Sequence, residues 1–425
     1  MKRALVLGGG GAKGAYQCGV WRCLREKHQN FDLVVGTSIG ALNGAMVVQN
    51  KYQECLDLWE NINVDMVLNN GVNLKFNFEV MMGQKDKFVP MLQTAAKKKG
   101  MDTAPLHELI KKTVDYKKIK KSKKDFYVMT VEVPNFVPYQ INVKDLSAEK
   151  MVDFLMASAS CFPAFPIKHI EDKKYVDGGY FDNLPINTAI EQKADEIIAV
   201  NLKSPGLTRK PRPNNKVIKI IEPYWSLGGL LNFDSEVAKR NIILGYYDAK
   251  KLFGDYRGFA YTFKANARYL KKLLTVFEEK IATINEQSTN RLLGKIAFEL
   301  NDADYKLLTF NERKYSDEDC LLRLIERIME LMDYSPEELY NIKKVGRDIA
   351  DSIKSVEKMD VKKWLKRFMK NPAITIKEFE AKNLIFSLAE EIDSLDSSVL
   401  AMFYKVFPSE CLTGLLISCL PKTDL

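Results

Sequence analysis

The sequence predicts an α/β fold: a mostly parallel sheet covered by helices over residues 1–262, followed by an all-helical domain over 263–425. Three observations predict it. Between Lys2 and about Asn201, short apolar runs rich in β-branched residues alternate with helical stretches, the pattern of a helix-covered parallel sheet. Glycine clusters stand where predicted strands pass into predicted helices. Beyond about Phe263, long amphipathic stretches carry Leu and Ile at three- and four-residue spacing.

In chain order, the expected strands are Arg3 to Leu7, Phe31 to Val35, Phe126 to Val131 and Glu196 to Leu202, with a further one at Val217 to Ile221. Ala12 to Lys27 and Ile39 to Gln49 read as helices between them, the second rich in small residues that permit close packing on a sheet. Lys203 to Lys216 holds Pro205, Gly206, Pro211 and Pro213 among basic residues and reads as a surface loop. A helix from about Asp234 to Phe253 completes the first domain, and Arg268 to Glu286 and Cys320 to Met332 are helices of the second.

Bulk composition narrows the function classes. An apolar content of 46% supports real cores over 425 residues, which excludes a disordered chain. Residues 1–262 carry 38 basic and 28 acidic side chains, so the net charge of +9 belongs to that part and favours an anionic partner such as a membrane surface. Seven cysteines without a CxxC pair or metal-ligand spacing read as reduced, buried thiols, and no metal or cofactor is expected. The apolar run Ala4 to Leu7 is too short for a signal peptide, and no stretch approaches the roughly 18 apolar residues of a membrane-spanning helix. The expected compartment is the cytoplasm with peripheral membrane attachment, export without a cleaved signal staying open.

The chemistry begins at Gly8-Gly9-Gly10-Gly11-Ala12-Lys13-Gly14, placed between a strand and a helix. Backbone N–H groups bared there bind an anion, either a phosphate or the oxyanion of an attacked ester. Gly9, Gly11 and Gly14 also satisfy GxGxxG, but a dinucleotide site needs an acidic residue at the end of the second strand. That strand runs instead into Gly36-Thr37-Ser38-Ile39-Gly40, a GxSxG at a strand-to-helix junction, as a nucleophile elbow requires. His28, His107 and His169 all precede Asp177, so a Ser, Asp, His order cannot be completed with that aspartate, and each histidine reads as a surface or structural residue. Asp177, in Tyr175-Val176-Asp177-Gly178-Gly179, ends an apolar β-type run and is the best-placed carboxylate; read alone it is equally an Asp-Gly turn.

Taken together, Gly8 to Gly14, Gly36 to Gly40 and Asp177-Gly178-Gly179 resemble the three marked blocks of patatin-like phospholipases, and Asp102 to Leu106, Ala157 to Phe165 and Asp182 to Pro185 are similar to further segments of that family. The resemblance covers roughly residues 1 to 260. It implies a three-layer α/β/α fold, Ser38 as nucleophile, Asp177 as its base, and N–H groups of Gly9, Gly10 and Gly11 as oxyanion hole, with Lys13 where the family often has arginine. It implies hydrolysis of acyl esters from phospholipid or lysophospholipid, without metal or histidine. Lys111, Lys112, Lys117, Lys118, Lys120, Lys121, Lys123 and Lys124 crowd before the strand at Phe126, a candidate contact for anionic headgroups or a plain solvated face. Aromatic residues among them are too few for nucleic acid. Two other readings compete: a nucleotide- or phosphate-binding protein using Gly8 to Gly14, and a non-catalytic interaction protein whose helical half does the work.

Overall fold

A computed structural model describes residues 1–69, 101–212, 215–264, 266–286, 316–353, 359–371 and 381–420; Pro213 of the expected surface loop lies outside them. The chain divides into two compact units, Met1–Leu252 and Phe253–Leu425.

The first unit is built on an eight-stranded sheet. Its strands are β1 (Arg3–Leu7), β2 (Leu33–Thr37), β3 (Asp125–Val133), β4 (Val137–Asn142), β5 (Lys168–Ile170), β6 (Lys173–Asp177), β7 (Glu196–Val200) and β8 (Val217–Ile221), in the order β5-β6-β3-β2-β1-β7-β8 with β4 also on β3. β3-β2-β1-β7-β8 run parallel, whereas β4, β5 and β6 join as antiparallel pairs. The central strands are apolar throughout because both faces are covered. Ala4, Val6, Leu33, Val35, Ile197 and Ala199 pack with Leu184, Ile186 and Ala189, the last two from helix Ile186–Glu191 on one face.

The opposite face carries α1 (Ala15–Glu26) and α2 (Ile39–Val48), the latter so close that Gly44 lies against Val34 and Phe126. Helix Ser235–Leu252 crosses α1 at Gly19 and Gly245, where a side chain on either would run into the other helix's backbone, at Ile242 O and Tyr16 O. Helices thus lie on both faces and make the three layers. β1 is the switch point: the chain leaves it toward β2 and β3 on one side, with β7 and β8 on the other, and the carboxyl ends of strands so arranged open a crevice.

The second unit is helical, with Ala267–Glu286, Asp317–Leu331, Ile342–Ser352, Val361–Lys370, Ala381–Glu391, Ser397–Val406 and Pro408–Cys419. It also holds a small sheet that the sequence reading does not include, made of Tyr256–Arg257, Thr262–Lys264 and Leu339–Tyr340. Strands of two or three residues are too short to show an alternating pattern. The first two of them draw residues 253–262 into the second unit, so the division falls after Leu252 and not after Thr262. Buried Glu326 closes the turn between them by accepting the N–H groups of Phe259 and Tyr261.

Candidate active site

The elbow between β2 and α2 places Ser38 at φ 55° and ψ −127°, a left-handed conformation that costs a non-glycine residue about 1–3 kcal/mol. Surrounding packing holds it there. A side chain at Gly36 would meet the Gly40 carbonyl and the Ala41 backbone, and one at Gly40 would meet Leu7 O and Gly8 O at the end of β1. The Ser38 N–H donates to Ser158 Oγ at 2.9 Å, and that hydroxyl donates to Met129 O at 2.7 Å, which ties the elbow to β3. Ser158 ends helix Ala148–Ser158 and is fully buried.

Asp177 ends β6, 3% exposed, and lines the same cavity as Ser38. Its Oδ1 accepts the Gly179 N–H at 2.7 Å, and the Ser38 side chain lies near enough to the carboxylate to favour its charged form. Burial pushes its pKa up to about 7, against the lowering effect of the Ser38 side chain and the Gly179 N–H. Gly178 and Gly179 serve this corner by their size: a side chain at Gly178 would strike Met129 O, and one at Gly179 would crowd Asn183 Oδ1 and Asp177 Oδ1.

The glycine-rich segment leaves β1 and curls past the serine. Gly8 N–H donates to Val200 O and Gly9 N–H to Asn183 O, both at 3.0 Å, while Gln17 Nε2 donates to Gly8 O at 2.7 Å. Gly11 has φ 53°, and any side chain on it would run into Leu230 O. Among the described residues no acceptor takes the N–H of Gly10 or Gly11, and both residues line the cavity beside Ser38. Of the three expected donors, Gly9 has its N–H bonded to Asn183 O, whereas Gly10 and Gly11 have no such partner among the described residues. Lys13 is buried in the turn Gly11–Gly14 and does not line the cavity, and Gly14 packs against Ile39 and Trp59.

The cavity encloses about 120 Å³ of free volume. Away from the serine its wall is apolar, with Leu42 and Met46 from α2, Trp59 from α3 (Tyr52–Glu60), Leu109 from helix Ala104–Thr113, Phe165 and Phe233. None of the three histidines lines it. His28 lies at the exposed end of α1, His107 sits 3.8 Å from Glu108, and His169 is exposed on β5. A second buried carboxyl, Asp182, is likewise pushed up to about 7 by burial, but it accepts the N–H groups of Leu184 and Arg209 and lies outside the cavity lining. Among the described residues no group of His, Cys, Asp and Glu is placed to hold a metal ion, and no helix is long and apolar enough to cross a membrane.

Residues 5–190 match the family model of patatin-like phospholipase. They form a patatin-like phospholipase domain. That domain contains the glycine-rich loop, the elbow and the Asp177 corner described above. Among curated relatives, lysophospholipase nte1 of Aspergillus terreus is 30% identical over 202 residues, which are 47% of this chain and 12% of that protein. Patatin-like phospholipase domain-containing protein ZK370.4 of Caenorhabditis elegans is 56% identical over 45 residues, 11% of this chain and 3% of that protein. The chain thus spans about an eighth of the length of the first relative. Of solved structures, VipD from Legionella pneumophila overlaps at a TM-score of 0.39 and 14% identity, covering 99% of this chain and 91% of VipD.

Sequence reasoning missed the two residues that hold the site together, Ser158 and Asn183. Both lie in segments noted only as similar to the family. Their spacing from their partners, Ser38 and Gly9, carries no signal, because the hydrogen bonds that matter span 120 and 174 residues.

Proposed function

We propose that the patatin-like domain is a serine acyl hydrolase acting on phospholipid or lysophospholipid, with Ser38 as nucleophile and Asp177 as its base. One observation carries the reading: a serine side chain beside a buried carboxylate, at the polar end of an apolar cavity, next to two N–H groups with no acceptor among the described residues. Ser38 Oγ attacks the ester carbonyl carbon while its proton passes to Asp177. The carbonyl oxygen takes up negative charge and meets Gly10 and Gly11 N–H, donors aimed where charge develops. Collapse of this intermediate expels the alcohol, which leaves with the proton from Asp177. Water then attacks the acyl-serine, gives a proton to Asp177, and the proton returns to Ser38 as the fatty acid departs. A pKa near the working pH suits a group that must take and return a proton in each half of the cycle.

The apolar wall suits an acyl chain, whose burial contributes roughly 0.8 kcal/mol per methylene. Peripheral contact with an anionic membrane surface in the cytoplasm belongs to the same proposal. Lys117, Lys118, Lys120 and Lys121 are exposed around the helix Tyr116–Lys121, which is anchored by buried Ile119. The test is hydrolysis of a soluble acyl ester and of lysophosphatidylcholine by the full chain and by Ser38→Ala and Asp177→Asn. Each substitution is expected to remove nearly all activity with the fold kept, and the double variant should lose little more than either.

A further inference from the structure

We infer that Asn183 is a positioning residue that sets the direction of the Gly10 N–H and so builds the oxyanion hole, an inference that rests on the serine hydrolase reading. Asn183 is 5% exposed and holds Gly9 from both sides. Its backbone carbonyl accepts the Gly9 N–H at 3.0 Å, and its side-chain Nδ2 donates to the Gly9 carbonyl oxygen at 3.3 Å.

The consequence follows from the planarity of the peptide bond. In a trans peptide the carbonyl of one residue and the N–H of the next point in opposite directions. The Gly9 carbonyl and the Gly10 N–H share one such plane. Fixing the first toward Asn183 turns the second away from it, and Gly10 lines the cavity that holds Ser38 and has no acceptor among the described residues for that N–H. The peptide before it is fixed as well, with Gln17 Nε2 on Gly8 O and Asn183 O on Gly9 N–H. Glycine at position 9 would otherwise leave both planes free to rotate. The same glycine is required by space, since a side chain there would strike Asn183 Oδ1 and lie 3.1 Å from Ser38 Cβ.

Asn183 is itself held in place. Its N–H donates to Leu207 O at 2.6 Å, Leu207 N–H donates to Gly179 O at 2.9 Å, and Gly206, at φ 142°, lies against its side chain. The loop after β7, expected only as a basic surface loop, thus buttresses the site, and Pro205 reaches the cavity wall. On its other side, Thr37 Oγ1 beside the nucleophile donates to the carbonyl of Asp182 at 3.0 Å. One asparagine therefore fixes the oxyanion loop relative to the Asp177 corner, on a segment that Thr37 ties to the elbow.

The decisive variant is Asn183→Asp, which keeps the shape but replaces the donor facing Gly9 O with an acceptor, and Asn183→Ala serves as a milder one that admits water. On a soluble ester we expect kcat to fall about 100-fold in Asn183→Asp and about 10-fold in Asn183→Ala, with KM within about threefold, since misplacement of a catalytic group by ~1 Å costs about that much. Binding of an alkyl trifluoromethyl ketone, which forms a tetrahedral adduct with an oxyanion, should weaken by the same factors. Binding of the matching unreactive alcohol should not change. Loss confined to KM, equal weakening of ketone and alcohol, or an unchanged kcat in a folded Asn183→Asp would overturn the inference. Ser38→Ala run in parallel separates the two claims. Activity surviving there defeats the nucleophile assignment itself, whereas an inactive Ser38→Ala beside unimpaired Asn183 variants defeats only the role of Asn183.

Discussion

Lowering the pH should switch the enzyme off far above the range in which an ordinary aspartate titrates. In the proposed mechanism Asp177 must be ionised to take the Ser38 proton, and burial raises its pKa from 3.8 to about 7. Ionising it in the folded protein therefore costs on the order of 4 kcal/mol more than in water, at 1.36 kcal/mol per tenfold change. On the free enzyme, kcat/KM should fall tenfold for each pH step below about 7, leaving about 1% at pH 5. The assay is kcat/KM from pH 4.5 to 9 on a short soluble ester that does not itself titrate there, with Asp182→Asn as control because Asp182 is also raised to about 7. The control should keep the same acid limb, since Asp182 lies outside the cavity lining. A limb centred near 4 would refute the buried-base argument, and a limb that moves in Asp182→Asn would mean that the wrong carboxyl has been assigned.

The same raised values set the pH dependence of stability. A carboxyl whose folded pKa lies above its unfolded one contributes stability that is full below about 4 and lost as pH rises through about 7, so Asp182→Asn should raise the melting temperature at pH 8 relative to the unsubstituted chain and gain less at pH 5. Replacing His28, His107 and His169 together should leave substantial esterase activity, because none lines the cavity; collapse of activity in a folded variant would restore a histidine base. Gly10→Ala presses a methyl group on Leu202 and Ser204 and should lower kcat about 100- to 1,000-fold with little change in KM, as loss of one oxyanion donor does. Changing Lys117, Lys118, Lys120 and Lys121 to glutamine should lower activity on anionic vesicles and flatten its salt dependence while sparing a soluble ester, since each basic side chain near such a surface contributes ~1 kcal/mol. Vesicle activity indifferent to those changes would leave the cluster as a solvated face.

What was legible in the sequence is what local patterning encodes. The parallel strands read directly because continuous apolar runs of β-branched residues follow from burial on both faces, and GxSxG at the end of β2 read because the elbow demands small residues on both sides of the serine. Strands β4 to β6 were harder: β5 has three residues, and Lys173–Asp177 shows its apolar character only in its last residues. The Gly9 N–H was counted among the oxyanion donors because a run of four glycines gives no sign of which amides are already paired. That pairing depends on Asn183, 174 positions away, and only the packed structure brings the two together. The small sheet of the second unit escaped for a related reason, as its strands owe their pairing to contacts such as Glu326 with the turn at Phe259 and not to their own pattern.

Covalent trapping tests the central claim most directly. The full chain, treated with an alkyl fluorophosphonate, digested and read by mass spectrometry, is expected to carry one adduct on the peptide containing Ser38, with hydrolysis lost in step with labelling and no label in Ser38→Ala. Hydrolysis that continues in the presence of the probe, or in Ser38→Ala, would contradict the assignment of Ser38 as the nucleophile.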